Sequence, residues 1–190
     1  MRVLGIAGSP RQGGNTRILL QEALAGAEDA GASVDQVVLN DLDFCTCQEC
    51  GSCDQTGQCT YDDDMQMLYE KLRETDCLIL ASPIFFGSLP AQVKMMIDRC
   101  QCLWITKYVL KKPLPDKSKR KGVFICVGGM NRKDYFEDAR KLVRIFFANL
   151  NISYAGDLFY PGIDQKGEIL SHPTACRDAN ELGKKLVAKT

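Results

Sequence analysis

A dense group of cysteines stands in the first third of the chain, in the segment FCTCQECGSCDQTGQCTY at residues 44–61. Four of them follow the pattern C-x2-C-x2-C-x5-C, namely Cys47, Cys50, Cys53 and Cys59. Three thiolates at two-residue intervals can surround one compact inorganic cluster, and bacterial iron–sulfur sequences open with the same spacing. Gly51 and Gly57 give the backbone the freedom that such a tight path requires. The spacing therefore favours a [4Fe–4S] cluster on these four cysteines.

Two other uses of these cysteines stay open from the sequence. Zinc is one, although four-cysteine zinc sites usually pair two separated C-x2-C units. Free or disulfide-bonded thiols are the other, and a reducing compartment disfavours structural disulfides. Cys45 lies two residues before the first predicted ligand and is a possible substitute for it.

A glycine-rich segment, GSPRQGGNT at residues 8–16, follows the first apolar run of the chain. Its glycines permit a tight turn, and a helix that begins at about Asn15 directs free N–H groups and the positive end of its dipole to the same place. Ser9, Arg11, Asn15 and Thr16 add hydroxyl, guanidinium and amide groups. The segment has neither the P-loop pattern nor G-x-G-x-x-G, so it predicts a phosphate site of another kind. The alternative is a plain turn capped by Asn15.

Apolar runs of strand length alternate with amphipathic stretches of helix length along the chain. The predicted strands cover residues 2–8, 33–40, 77–83, 122–129 and 152–162. The predicted helices cover residues 15–31, 62–76, 88–100, 132–150 and 174–189, with Ser88 as the cap of the third and Asp62–Asp64 in the first turn of the second. The pattern predicts a doubly wound, five-stranded parallel sheet with helices on both faces. The basic segment at residues 106–122 is predicted to be a solvated loop rather than a binding patch.

Bulk composition narrows the class of protein. The chain has 190 residues, 24 basic and 24 acidic side chains and 45% hydrophobic residues. A single domain over residues 1–190 fits this length, and the balanced charge gives no reason to expect nucleic acid or a membrane as a partner. The sequence has no signal-peptide pattern and no apolar run of membrane-spanning length, so we expect a cytoplasmic protein. No catalytic residue is predicted, because the one histidine, His172, has no companion group.

The segment at residues 8–16 resembles the phosphate loop of the flavodoxin-like NADPH-dependent FMN reductase family. The segments SPIFFGSLPAQVKMMIDR at residues 82–99 and GGMNRKD at residues 128–134 resemble the second and third flavin loops of that family. Phe85 stands where family members often carry Tyr. The cysteine loop, the "DDM" that follows it and the helix ending in "DR" are similar to those of the iron–sulfur flavoproteins of anaerobic archaea and bacteria.

This resemblance implies a flavodoxin-like fold with strand order 2-1-3-4-5 and a cysteine-rich loop inserted after the second strand. It implies FMN as a cofactor beside the [4Fe–4S] cluster. The phosphate would be held by Ser9, Arg11, Asn15 and Thr16. The isoalloxazine ring would be held by Pro83, Ile84, Phe85, Phe86, Gly87, Gly128 and Gly129, which offer apolar walls and backbone groups.

The function implied is an FMN-dependent oxidoreductase that passes electrons between the cluster and FMN, with NAD(P)H or ferredoxin as electron donor and a small-molecule acceptor. The resemblance also implies a homodimer or homotetramer in which the cluster of one subunit approaches the flavin of its neighbour. Three alternatives remain: an NAD(P)H-dependent FMN or quinone reductase with a zinc-bound or empty cysteine loop, a non-enzymatic electron carrier, and a zinc-stabilised interaction module.

Overall fold

The computed structural model describes residues 1–112 and 120–188. Its five strands are β1 (Arg2–Ala7), β2 (Ser33–Val38), β3 (Cys77–Pro83), β4 (Lys121–Gly128) and β5 (Ser153–Pro161). They pair in parallel in the order β2-β1-β3-β4-β5. The predicted flavodoxin-like fold is confirmed. The chain order reverses between β1 and β3, and doubly wound sheets bind ligands beyond the carboxyl ends of the strands at such a point.

The helices connect the strands and cover the sheet. They are α1 (Asn15–Asp29), α2 (Met65–Glu74), α3 (Ala91–Arg99), α4 (Gln101–Trp104), α5 (Lys133–Asn149) and α6 (Ala175–Val187). A π-helical turn, Ile105–Val109, continues α4, and short 3-10 turns stand at Leu39–Asp41 and Glu168–Ser171. Within the described part of the chain, no helix combines the length and the apolar character needed to cross a membrane.

Two hydrophobic cores lie on opposite faces of the sheet. Alternate residues of β3 enter different cores, so Leu78 and Leu80 pack on the α2, α3 and α5 side while Ile79 and Ala81 pack on the α1 and α6 side. This double burial explains the uninterrupted apolar run of β3, since both of its faces are covered. Gly26 of α1 lies against the backbone of Asn180 in α6, where a side chain would collide.

The structure corrects three local predictions. Ser88 does not cap α3, because it is bonded to Phe85 in a tight turn and the helix begins at Ala91 after Pro90. Asp62–Asp64 precede α2 rather than forming its first turn, and Asp63 instead pairs with a buried arginine described below. The start of the basic segment is helical up to Val109, whereas its residues 113–119 lie outside the described residues.

Candidate functional site

The phosphate loop runs from the end of β1 to the start of α1. The N–H of Gly8 bonds to the carbonyl of Ala81 in β3 at 2.7 Å, which fixes the loop at the reversal point of the sheet. No side chain caps the N-terminus of α1, whose capping residue is Gly14 in an extended conformation. Helix N-termini leave N–H groups without intrahelical partners and attract anions through the helix dipole. The sequence therefore forms an open anion site here, close to the guanidinium of Arg11.

Asn15 is engaged inside the protein rather than free to contact a ligand. Its amide nitrogen donates to the carbonyl of Gln165 at 2.9 Å, and its amide oxygen accepts from the N–H of Ile169 at 3.3 Å. Arg11 donates to the carbonyl of Asp164 at 2.8 Å. The loop after β5 is thus tied to the phosphate loop. Asn15 and Arg11 position one loop against the other, in addition to any role toward an anion.

Lys166 also reaches this region, and sequence reasoning missed it. A side chain added at Gly13 would lie 3.5 Å from Lys166 Cε, so the lysine stands beside the glycine turn of the phosphate loop. The two residues are far apart in sequence and share no motif, so no local signal could have joined them. Lys166 is a second cation near the open N-terminus of α1.

A wider cleft of about 510 Å³ continues from the phosphate loop. It is lined by Ile84, Phe85, Phe86, Gly87, Gly128, Gly129, Met130, Tyr135, Phe136 and Asp164. Such a mixture of aromatic, aliphatic and backbone surface suits a flat apolar ring with a polar edge. Gly129 is needed for close approach, because a side chain there would meet Asp164 at 3.0 Å.

A two-residue turn forms one wall of this cleft. Phe85 and Ser88 exchange backbone hydrogen bonds of 2.8 and 3.0 Å, and Phe86 and Gly87 between them have φ values of +49° and +76°. Two positive φ values in a two-residue loop define a type I′ turn. Gly87 adopts this backbone without strain, but Phe86 does not, and its ring is fully exposed. Strained residues of this kind cluster at functional sites.

The structure brings together all eleven residues predicted to hold FMN. Those of the phosphate loop, together with Pro83, line a narrow cleft that shares Ile84, Phe85, Gly128 and Gly129 with the wider one. Their assignment as ligands stays a prediction. The donor set and the uncapped helix fit a phosphate, and the wide cleft fits the ring. The lining residues that the sequence did not reveal are Met130, Tyr135 and Phe136 in the wider cleft, Val127 and Ile163 in the narrow one, and Asp164 in both.

The four predicted cluster ligands line a separate cavity of about 300 Å³. The loop that carries them contains neither helix nor strand from Leu42 to Asp64, and left-handed residues such as Glu49, Gly51 and Gly57 turn it around the cavity. Gln66 of α2 fixes its end by donating to the carbonyls of Cys59 and Tyr61. All four cysteines are free thiols.

The four thiols share the lining of one cavity, as the ligands of a single metal centre must. Their assignment to a [4Fe–4S] cluster stays a prediction. Cys102 of α4 also lines this cavity, and Cys45 is not among the described residues that do.

A buried ion pair lies at the edge of the cysteine cavity. The guanidinium of Arg99, whose side chain is 1% exposed, contacts Asp63 through two bonds of 2.5 and 2.9 Å. Burial opposes ionisation of Asp63, but hydrogen bonds from Arg99 and from the N–H groups of Cys45 and Met65 outweigh it, so the pKa of Asp63 is below its usual value. Removing one partner of such a pair typically costs about 3–5 kcal/mol.

The thiols around the cavity differ in acidity. A hydrogen bond with Ser52 lowers the pKa of the exposed Cys50. Burial, helped by the charge of Asp54, raises the pKa of Cys53. Burial also raises the pKa of Cys102, whose thiol lies 3.6 Å from the carbonyl of Arg99. The thiol of Cys50 is therefore the most readily deprotonated of these three thiols.

Known proteins resemble this chain in sequence and in fold. The NADPH-dependent FMN reductase family matches residues 1–160. An iron–sulfur flavoprotein of Methanosarcina thermophila is 36% identical over 68% of this chain and 64% of its own length. An iron–sulfur flavoprotein of Methanocaldococcus jannaschii is 32% identical over 77% of this chain and 71% of its own length. The structure of an NAD(P)H:quinone oxidoreductase from Methanothermobacter marburgensis superposes with a TM-score of 0.73, 16% identity and 98% coverage of both chains.

The fold and the matched residues define a flavodoxin-like protein, and the chain belongs to the NADPH-dependent FMN reductase family. Within that family, the predicted relationship to the iron–sulfur flavoproteins is confirmed by relatives that carry this name. The chain spans 64% of the length of the Methanosarcina relative and 54% of that of another from Methanocaldococcus jannaschii.

Proposed function

We propose that this chain is an FMN-dependent oxidoreductase that binds FMN in the cleft at the reversal point of the sheet and a [4Fe–4S] cluster on Cys47, Cys50, Cys53 and Cys59. The observation that carries the proposal is the presence of two separate built sites in one chain, a four-thiol cavity and an aromatic cleft with an open anion site. Iron–sulfur flavoprotein relatives support it. When bound, the two cofactors connect two-electron donors with one-electron carriers.

The residues of the two sites have distinct tasks in this function. The open N-terminus of α1 and the cation of Arg11 anchor the phosphate, which fixes the position of the ring in the wider cleft. Ile84 and Phe136 form apolar walls of the cleft and exclude water from the ring. The four thiols, as thiolates, hold the cluster, while Gln66 and Arg99 hold the ends of the cysteine loop.

The electron donor is NAD(P)H or a reduced ferredoxin, and the acceptor is a small molecule such as a quinone, peroxide or oxygen. The chain has no dedicated nicotinamide motif. Steady-state turnover with NADH, NADPH and reduced ferredoxin in turn, each with a quinone as acceptor, distinguishes the donors. A protein that stays inactive with all of them but exchanges electrons with dithionite is a carrier rather than an enzyme.

We also propose that the chain acts as a homodimer or homotetramer. The turn of Phe86 precedes α3 and Arg99 ends it, so the flavin cleft and the cysteine cavity stand at opposite ends of a nine-residue helix, about 13 Å long. Exposed apolar side chains occur at both ends, with Phe86 and Met130 at the cleft and Trp104 and Ile145 in a groove beside Cys47. Patches of this kind mark protein interfaces, and a two-fold pair would bring each cleft to the neighbour's cysteine loop.

The deciding experiment is purification without oxygen, followed by assays of iron, acid-labile sulfide and FMN and by absorption spectra before and after dithionite. We expect four irons and one FMN per chain. Cys50→Ala should remove the brown chromophore and leave FMN bound, because the cavity and the cleft are separate. Cys176→Ala, on α6, is the matched control and should retain both. A wild-type protein that is colourless contradicts the proposal. So does a Cys50→Ala protein that loses both cofactors while Cys176→Ala retains them.

A further inference from the structure

Arg99 combines a positive charge with deep burial at the cysteine cavity. It is the only cationic side chain among the described residues that line the cavity, where Glu49 and Asp54 supply the acidic groups. It is also one of the most deeply buried side chains of the described chain. A buried charge is costly unless something compensates it. Asp63 compensates part of it, but the contacts of the guanidinium extend further.

These further contacts of the guanidinium are with two cysteines, Cys45 and Cys59. Nη2 lies 3.4 Å from Cys59 Sγ, a predicted cluster ligand, and Nη1 lies 3.4 Å from Cys45 Sγ and donates to the carbonyl of Cys45 at 2.9 Å. Nε is buried and has no hydrogen-bond partner among the described residues. The large majority of buried side-chain donors have a partner. Arg99 therefore combines an unpartnered donor with a place in the cavity lining, where an acceptor could be bound.

The carboxylate that pairs with this cation lies outside the cavity lining. Asp63 bonds to Arg99 and to the N–H groups of Cys45 and Met65, and its carboxylate is 3.8 Å from Cys45 Sγ, but it is not among the described residues that line the cavity. Of the two charges of the pair, only the positive one lines the cavity of the predicted cluster ligands. Purely structural ion pairs of this kind can often be replaced by apolar residues without loss of stability, so stability alone does not explain it.

We propose that Arg99 raises the reduction potential of the cluster and that Asp63 holds it in place to do so. This inference rests on the proposed function, because it needs the cluster on Cys47, Cys50, Cys53 and Cys59. Reduction adds one electron to the cluster from an external one-electron donor, with no bond formed or broken, and so adds one negative charge. Net charge and hydrogen bonds to sulfur set the potentials of such clusters. A cation next to Cys59 stabilises the reduced form more than the oxidised form.

The test is a potentiometric titration with dithionite under argon, followed by electron paramagnetic resonance of the cluster and by absorbance of the flavin. Arg99→Gln removes the cation and leaves the charge of Asp63 uncompensated, so the equilibrium constant for cluster reduction should fall at least tenfold, which is about 59 mV for one electron. Asp63→Asn keeps an oxygen that accepts from Arg99 and so holds it in place, but it removes the compensating charge and should shift the constant in the opposite direction. Arg99→Lys keeps the charge and should stay within about threefold of the wild type.

Lys94→Gln is the matched control, because it removes a cation from the same helix on an exposed face, where Lys94 pairs with Asp98. Its cluster potential should not change, and the flavin potential should stay constant in every variant. Iron and sulfide are assayed in parallel. If Arg99→Gln does not retain its cluster, the question is decided by Asp63→Asn, whose equilibrium constant for cluster reduction should rise while that of Arg99→Lys stays near the wild-type value.

A cluster potential that is unchanged in iron-replete Arg99→Gln and Asp63→Asn, or that moves in the same direction in both, overturns the inference and leaves Arg99 with a structural role. That result is distinct from failure of the proposed function, for which the wild-type protein itself would hold no iron and sulfide.

Discussion

Six of the ten cysteines lie at or beside one cavity, and their surroundings give them different chemistry. Cys50 is exposed, and its hydrogen bond with Ser52 lowers its pKa. Burial raises the pKa values of Cys100 and Cys126, which lie in the core. Because the thiolate is the reactive form, the lowered pKa and the exposure of Cys50 both increase the reactivity of its thiol.

This difference predicts the order of alkylation in cluster-free protein. Iodoacetamide should modify Cys50 before the other cavity cysteines and leave Cys100 and Cys126 unmodified until the protein unfolds. The rate of alkylation of Cys50 rises with pH as its thiol ionises, and a lowered pKa places this rise at lower pH. Ser52→Ala removes the hydrogen bond that lowers the pKa, so the rise should occur at higher pH. Peptide mass mapping across neutral and mildly alkaline pH measures both effects. Labelling of Cys126 in the folded protein at the rate of Cys50 is the contrary result.

Cys45 and Cys59 form a matched pair for assigning the cluster ligands. Each thiol lies 3.4 Å from the guanidinium of Arg99, but only Cys59 is among the described residues that line the cavity. Cys59→Ser should therefore lose most of its iron and sulfide, whereas Cys45→Ser should retain them. Iron and sulfide analysis of the two proteins, reconstituted side by side, measures this. Equal loss in both would make Cys45 a ligand.

At the scale of elements, α4 and its π-helical extension hold the cysteine loop in place. Thr106 lies 3.0 Å from the carbonyl of Gly57 and 2.8 Å from that of Cys102, so it connects the loop to the helix. Gly57 has a φ of +75°, and a side chain there would meet Thr106 and, at 3.3 Å, Leu110. The last turn of the loop before Cys59 thus depends on a glycine for its backbone and for its close packing.

We therefore expect Gly57→Ala to impair cluster assembly. The left-handed backbone alone costs a non-glycine residue roughly 1–3 kcal/mol, and the contact with Thr106 displaces the loop as well. Gly31→Ala is the control, because its φ of +87° is equally unfavourable but no atom lies within 4 Å of the added carbon. Both variants should melt at lower temperature, and only Gly57→Ala should take up less iron on reconstitution. Equal iron uptake would show that the loop tolerates the displacement.

The elements also show which features the sequence could predict. Strands and helices follow from hydrophobic periodicity, and the phosphate site from the glycine-rich segment after β1, both of which are local signals. The residues proposed to hold the flavin ring came from the resemblance to the FMN reductase family. The contacts that complete the sites are not local. Arg99 and Asp63 are 36 residues apart, and Asn15 and Gln165 are 150 residues apart. Acidic residues before a helix suggested a first turn for Asp63, but pairing with a buried cation decides its position.

At the scale of the whole molecule, the two proposed cofactor sites are separated by α3 within one chain. The groove beside the cysteine loop exposes Ile145 and Trp104 next to Cys47. If a second copy covers this groove with the rim of its flavin cleft, electron transfer depends on assembly. Cys47 lines both the groove and the cysteine cavity, whereas Ile145 lines the groove alone. A charge placed at Ile145 should then divide the oligomer without unloading either site.

Ile145→Asp is the variant that tests this arrangement, because its side chain is 72% exposed and its loss should not disturb the core. We expect a smaller particle by light scattering, unchanged iron and FMN content, and cluster reduction by the flavin slowed at least tenfold in stopped-flow absorbance. Leu170→Asp is the control, since Leu170 is 64% exposed but lies near the start of α6, away from the groove. It should behave as the wild type. A monomeric Ile145→Asp protein whose cluster is reduced at the wild-type rate would place the electron path within one chain, along α3, and would leave the apolar groove without a part in electron transfer.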